Sequence, residues 1–151
     1  MAIARGAGTE IIRCVCQRDI NTDSPYHLIY GEQHHVYTVL SVIIYCHAIA
    51  TTGNVVYMTI KGYNAQDGLT QEDCYLMKQS FSVAGETFVW DNKFSFNGTE
   101  PTDFTGPLDS LAKQDAIADQ ASSAVQKLDI WSQASGDHFQ VTCTYLDQNN
   151  E

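Results

Sequence analysis

Val36–Ala48 reads VYTVLSVIIYCHA. Its density of Val, Ile, Tyr and Thr favours a strand over a helix, because branched and aromatic side chains fit a pleated surface and lose rotamer freedom in a helix. By simple alternation, Tyr37, Val39, Ile43 and Tyr45 point one way and Leu40, Val42, Ile44 and Cys46 the other. Both faces are apolar, so the strand is expected at the centre of a sheet and covered on both sides.

The flanking sequence repeats this alternation between turn signals. Thr51-Thr-Gly-Asn54 is a turn, and Val55–Tyr63 carries Val56, Met58 and Ile60 in phase, so a hairpin with Val36–Ala48 is expected. Upstream, Glu10–Gln17 and Tyr26–Tyr30 read as shorter strands separated by the turn-rich Asp19–Pro25. Downstream, Cys74–Val83 is a weaker strand. After Ala84-Gly85-Glu86, the aromatics Phe88, Trp90, Phe94 and Phe96 share one phase and are expected to fill a core. A hairpin tip at Asp91-Asn92 is the alternative, splitting that strand in two. Ser122–Ser132 and His138–Leu146 are two further strands, joined by a turn at Gly136-Asp137.

About eight strands joined by turns favour an all-β fold, an antiparallel β-sandwich of plain or jelly-roll type. One stretch stands apart. Asn97–Ser110 has Gly98, Pro101, Gly106 and Pro107 and no periodicity, and Leu108–Gln120 has roughly helical spacing, so a long loop holding a short helix is expected. Excursions beyond about 12–15 residues often serve function or interfaces. No internal repeat or domain boundary is evident. Residues 1–151 read as one domain, with 1–10 as an extended, glycine-containing arm.

Composition narrows the function. The chain has 151 residues, enough for a core without disulfides or metals. Its net charge is −10, with no Lys/Arg cluster, so a nucleic-acid partner is not expected. Charged residues make up 17% of the chain, below the usual ~25%, which suits a surface partly covered by partners. The N-terminus lacks a signal-peptide core, and no run is long and apolar enough to span a membrane. The five cysteines, Cys14, Cys16, Cys46, Cys74 and Cys143, form neither a disulfide framework nor paired zinc spacing. They read as reduced thiols of a chain folded in a cytosol.

Motifs of catalysis are missing: there is no G-x-S-x-G elbow and no G-x-G-x-x-G loop. Adjacent His34 and His35 point to opposite faces of an extended segment, which is poor geometry for one metal. Glu100, Asp103, Asp109, Asp115 and Asp119 lack the calcium-loop pattern. No enzyme activity, cofactor or metal is expected.

Three segments together resemble small bacteriophage virion proteins. They are Tyr37-Thr-Val-Leu-Ser-Val-Ile-Ile-Tyr-Cys46, Ala84-Gly-Glu-Thr-Phe-Val-Trp90, and Gln114-Asp-Ala-Ile117 followed by Ala121-Ser-Ser-Ala-Val-Gln-Lys-Leu128. The likeness runs from Val36 to Leu146. It implies a β-sandwich that assembles into virions, after folding in the host cytoplasm, as head decoration, neck, tail or fibre. The insertion Gly98–Asp119 and the residues before Val36 depart from the pattern and read as assembly devices. The expected function is therefore capsid decoration or cementing, with a neck, tail or fibre part as the alternative. The expected partners are further copies of the chain and other virion proteins. Candidate contact residues are Ile3 and Arg5 in the arm and Phe104, Pro107 and Leu108 in the loop. A glycan-gripping fibre module is the other class, for which Tyr63, Tyr75 and Trp131 are the candidate ligand-facing aromatics.

Overall fold

A computed structural model describes residues 8–21, 24–50, 53–64, 69–101, 107, 109–119, 123–133 and 136–150. In chain order the first strands are β1 (Thr9–Ile20), β2 (Tyr26–Tyr30), β3 (His35–Ala48), β4 (Asn54–Asn64) and β5 (Leu69–Phe81). Then come β6 (Thr87–Trp90), β7 (Phe94–Asn97), β8 (Thr99–Pro101), helix α1 (Leu111–Asp119), β9 (Ser123–Val125), β10 (Lys127–Ser132) and β11 (His138–Asn149).

Two sheets form the body. The first has the order β1-β11-β3, with β6 and β7 both along the far edge of β3; the second has the order β2-β10-β4-β5. All pairings within them are antiparallel. The chain can be followed as one long ribbon that doubles back between β4 and β5. First strand pairs with last (β1 with β11), β2 with β10, β3 with β6 and β7, and β4 with β5. Wound so that successive ribbon segments alternate between sheets, this is a jelly roll.

The core lies between the sheets. The first contributes Val39, Val42, Ile44, Cys46, Phe139, Val141 and Cys143; the second Leu28, Val56, Met58, Phe81, Leu128 and Ile130. Fully burying each large apolar side chain contributes about 1.5–3 kcal/mol. The rings of Phe81 and Phe139 meet across the gap at 5.1 Å. Phe88, Trp90 and Phe94 pack against this core and Phe96 is part of it, as their shared phase predicts.

Three local expectations are corrected. β4 does not form a hairpin with β3. Gly53, at a φ of 80°, helps turn the chain, but β4 pairs with β5 and β10 in the opposite sheet. Asp91-Asn92 is not a hairpin tip either. Trp90 pairs with Val42 and Phe94 with Val39, so β6 and β7 are one line along β3, interrupted but never reversed.

The third correction concerns β3 itself. Thr144 pairs with Ser41 and Tyr145 with Val39, leaving Leu40 as the extra residue of a bulge. The bulge reverses the alternation, so Tyr37 and Val39 are buried together with Val42, Ile44 and Cys46. Their opposites, Ile43 and Tyr45, are exposed. β3 is central in its sheet but covered on one face only.

The expected short helix is α1, capped by the Ser110 hydroxyl, which accepts from the Lys113 N–H at 3.3 Å. It sits in the excursion bracketed by the β8–β9 pair. Within the 1–10 segment, Thr9 and Glu10 already belong to β1, opposite Asn149 and Gln148, while residues 1–7 lie outside the described residues.

Candidate functional site

The registers of β1, β11, β3, β6 and β7 lay out the outer face of the first sheet in rows. One row runs Gln140, Tyr45, Thr87, and the next Cys16, Thr142, Ile43, Val89. Then come Cys14, Thr144, Ser41, and finally Ile12, Leu146, Thr38, Ser95. Thr142 and Thr144 direct their hydroxyls toward the sulfurs of Cys16 and Cys14, at 3.7 and 3.9 Å, and Thr38 and Ser95 share a 2.8 Å hydrogen bond. No residue named in these rows is charged; Arg18 and Asp19 oppose Gln140 at the β1 end of the first row, and exposed Asp91 and Lys93 lie between Val89 and Ser95 at the other edge. Ile12 is 68% exposed, Val89 53%, Tyr45 41% and Ile43 38%. An uncharged, partly apolar centre with charges at its rim, on a chain of net charge −10, is suited to burial against a similar surface.

Of the expected contact residues, Ile3, Arg5, Phe104 and Leu108 lie outside the described residues. Pro107 is exposed, and its carbonyl accepts from Lys113 Nζ at 3.4 Å. The face assembled by Ile12, Ile43, Tyr45 and Val89 is absent from the sequence-based expectation. Its signal was available in part, since Ile43 and Tyr45 belong to the strand that reads as apolar on both sides.

The outer face of the second sheet is different. Tyr57 and Trp131 stack at 5.5 Å, and Tyr75 meets both edge-on at 5.7 and 6.0 Å. The structure thus brings together two expected ligand-facing aromatics, Tyr75 and Trp131, and adds Tyr57. The side chain of Tyr63 is outside the described residues. Tyr75 is 62% exposed, whereas Trp131 is only partly so. Charges border this cluster. Lys78 lies over the Tyr57 ring at 5.8 Å, Lys61 pairs with Asp73 at 3.8 Å, and buried Asp129 meets His27 Nδ1 at 2.5 Å. Thr59, between Asp129 and Tyr75 in register, is buried with no partner for its hydroxyl among the described residues.

The remaining polar groups tie strands together. Asp147 on β11 accepts from Arg13 Nε of β1 at 2.9 Å and meets His35 Nδ1 of β3 at 2.6 Å. Tyr37 stacks on His35, and its hydroxyl accepts from the Glu32 N–H at 3.1 Å. Burial pushes the Tyr37 phenol up to about 12 against the lowering effect of that bond, and burial also raises Tyr145. Cys14, Cys16 and Cys74 are exposed thiols, whereas Cys46 and Cys143 are buried. Burial raises both buried thiols, Cys143 to about 12, so neither is suited to act as a nucleophile near neutral pH.

No protein-family model and no curated protein matches the sequence. Among solved structures, a protein of Bacillus endospore appendages, a family of disulfide-linked pili, aligns at a TM-score of 0.46 with 10% identity, covering 100% of this chain and 97% of its own. A protein of infectious bursal disease virus, Gx strain, aligns at 0.39 with 8% identity, covering 94% of this chain and 32% of its own. One from the Gt strain aligns at 0.36 with 12% identity, covering 97% and 34%. The chain spans about a third of the length of those two viral proteins. At such low scores the likeness carries no inference about activity or partners.

Proposed function

We propose that this chain is a structural subunit, not an enzyme, that packs against further copies of itself through the outer face of its first sheet. The observation that supports the reading is the uncharged, partly apolar centre around Ile43 and Val89, with charges only at its rim. A jelly roll needs only one apolar face per strand, yet β3 also turns Ile43 and Tyr45 outward. Two copies that met through Ile43 and Val89 would bury apolar surface at the centre of the contact with charged groups only at its rim. The finer assignment, to a bacteriophage particle as a decoration or cementing protein, draws on the resemblance of Tyr37–Cys46, Ala84–Trp90 and Gln114–Leu128 to small virion proteins. In that assignment the chain folds in the host cytoplasm and ends in the virion.

Sedimentation velocity on the full chain tests the self-packing, with Ile43→Asp and Val89→Lys as variants. The expected result is a concentration-dependent oligomer that either substitution shifts to monomer while the far-UV circular dichroism stays unchanged. A native chain that stays monomeric at high concentration overturns the reading, as does an oligomer indifferent to both substitutions.

A second reading is favoured by the Tyr57–Tyr75–Trp131 cluster. Stacked, part-exposed rings bordered by charged groups suit the apolar face of a sugar. It places a glycan-binding surface on the second sheet and is compatible with a fibre component.

A further inference from the structure

At one end of the uncharged face, two irregularities in strand pairing converge. On β1, Gln17 pairs with Val141 and Ile20 with Phe139, so Arg18 and Asp19 together oppose the single residue Gln140. On β3, Cys46 pairs with Phe139 and Ala48 with His138, so His47 is the extra residue there. Bulges of this kind re-aim side chains and recur beside functional sites. Here they bring Asp19 and His47, from the strands on either side of β11, to the same residue, His138. Asp19 Oδ1 lies 2.5 Å from His138 Nδ1, and the rings of His47 and His138 are 5.6 Å apart. One ligand atom from each of the three residues falls within 4.8 Å of the others.

We propose that Asp19, His47 and His138 form a binding site for a late first-row divalent metal ion, of which zinc is the natural probe. Two imidazoles and one carboxylate are borderline ligands of the kind zinc, copper and nickel accept. Ligand atoms around a tetrahedral zinc sit roughly 3.3 Å apart, given bonds of about 2.0–2.2 Å. At 2.5 Å Asp19 Oδ1 and His138 Nδ1 are closer than that, so a bound ion would replace their hydrogen bond and hold the two atoms further apart, while the exposed His47 side chain closes on them. Three protein ligands leave one position open to water or to a donor from a neighbouring molecule. A bound ion would pin β1 and β3 to β11 at the rim of the face.

The exposed thiols Cys14, Cys16 and Cys74 are rival zinc ligands, so the experiment uses the full chain with all three changed to serine. Zinc is titrated into it by isothermal calorimetry, alongside His47→Ala and His138→Ala made in the same background. The expected result is one equivalent per chain, with affinity weakened at least about tenfold by either histidine change. Zinc should also raise the thermal midpoint of the background protein and leave that of His47→Ala unmoved. His47 is exposed, so its removal leaves the metal-free fold intact, and circular dichroism checks this. Absence of saturable binding overturns the proposal. So does binding of equal strength in the His47→Ala protein.

Discussion

Cys143 gives the sharpest test of the packing between the sheets. Its side chain is fully buried, between Val15 of β1 and Val42 of β3 in register, and burial lifts its thiol from 9.0 to about 12. The group is neutral when protonated, so the unfolded chain gives up its proton first as pH rises. The stability it protects is fully present below about pH 9 and is lost as pH climbs toward 12. At pH 11 the loss from this one group is between about 2 and 3 kcal/mol, at 1.36 kcal/mol per unit of difference. That is a large share of the roughly 5–15 kcal/mol by which ordinary domains are stable. The perturbation is Cys143→Ala, and the assay is urea unfolding at pH 8, 9.5 and 11 under reducing conditions. At pH 8 the variant should be less stable by about 1 kcal/mol, the usual cost of a small core deletion. By pH 11 the difference should have reversed, because the native protein has lost what the variant never had. Tyr37, Tyr145 and Cys46 are also raised by burial, but they act equally in both proteins and cancel in the comparison. Parallel stability curves from pH 8 to pH 11 would refute the reasoning.

Gly98 is predicted to be irreplaceable for steric reasons rather than conformational ones. Its N–H donates to the His35 carbonyl at 2.7 Å, its carbonyl accepts from Gln126, and an added Cβ would lie 2.0 Å from the Glu32 carbonyl oxygen. Gly98→Ala should cost about 2–3 kcal/mol or more in urea unfolding, as overpacking against backbone does. Gly53→Ala, at a φ of 80° with open space around it, should cost only about 1 kcal/mol, and equal losses at the two sites would sink the distinction. For the second sheet, Trp131→Ala should abolish retention on a glycan array, with Tyr75→Ala weakening it and the fold preserved. A native chain that binds no glycan removes the sugar-binding reading and leaves the self-packing one untouched.

How much of this was legible in the sequence depends on the range over which each feature is encoded. The bounds of β2 at Tyr26 and Tyr30 and the inward phase of Phe88, Trp90, Phe94 and Phe96 follow from nearest-neighbour alternation, and both are found as read. The partner of a strand is not a local property. Thr51–Asn54 has the composition of a hairpin turn, yet β3 and β4 lie in different sheets because a jelly roll pairs β3 with β6, β7 and β11. The bulge at Leu40 was illegible for a related reason. Nothing in Val39-Leu40-Ser41 marks it, because it is set by the register against β11. The same holds for Asp19, His47 and His138, which are distant in the chain and meet only through two register shifts. The long excursion did announce its helix, but the partner it was expected to touch leaves no trace in a single chain.

The two outer faces of the molecule serve as controls for each other. Both belong to one chain, with one net charge and one composition, and both cover the same core from opposite sides. The second sheet carries Lys61, Asp73, Lys78, Lys127 and the His27–Asp129 pair, the ordinary charged exterior of a sandwich, with an aromatic cluster set among them. The first sheet keeps its charges, Arg18, Asp19, Asp91 and Lys93, at the rim and shows Ile12, Ile43, Tyr45 and Val89 across the middle. Solubility alone gives no reason for so uneven a distribution, because any of those rows tolerates a lysine or glutamate at no cost to the core. The self-packing proposed above gives a reason, as a third layer over this face. Folding covers one face of β3 and leaves Ile43 and Tyr45 of the other exposed. The other lies beside a −10 exterior, open to whatever can bury Ile43 without bringing charge to it, and a second copy of the same face meets that requirement.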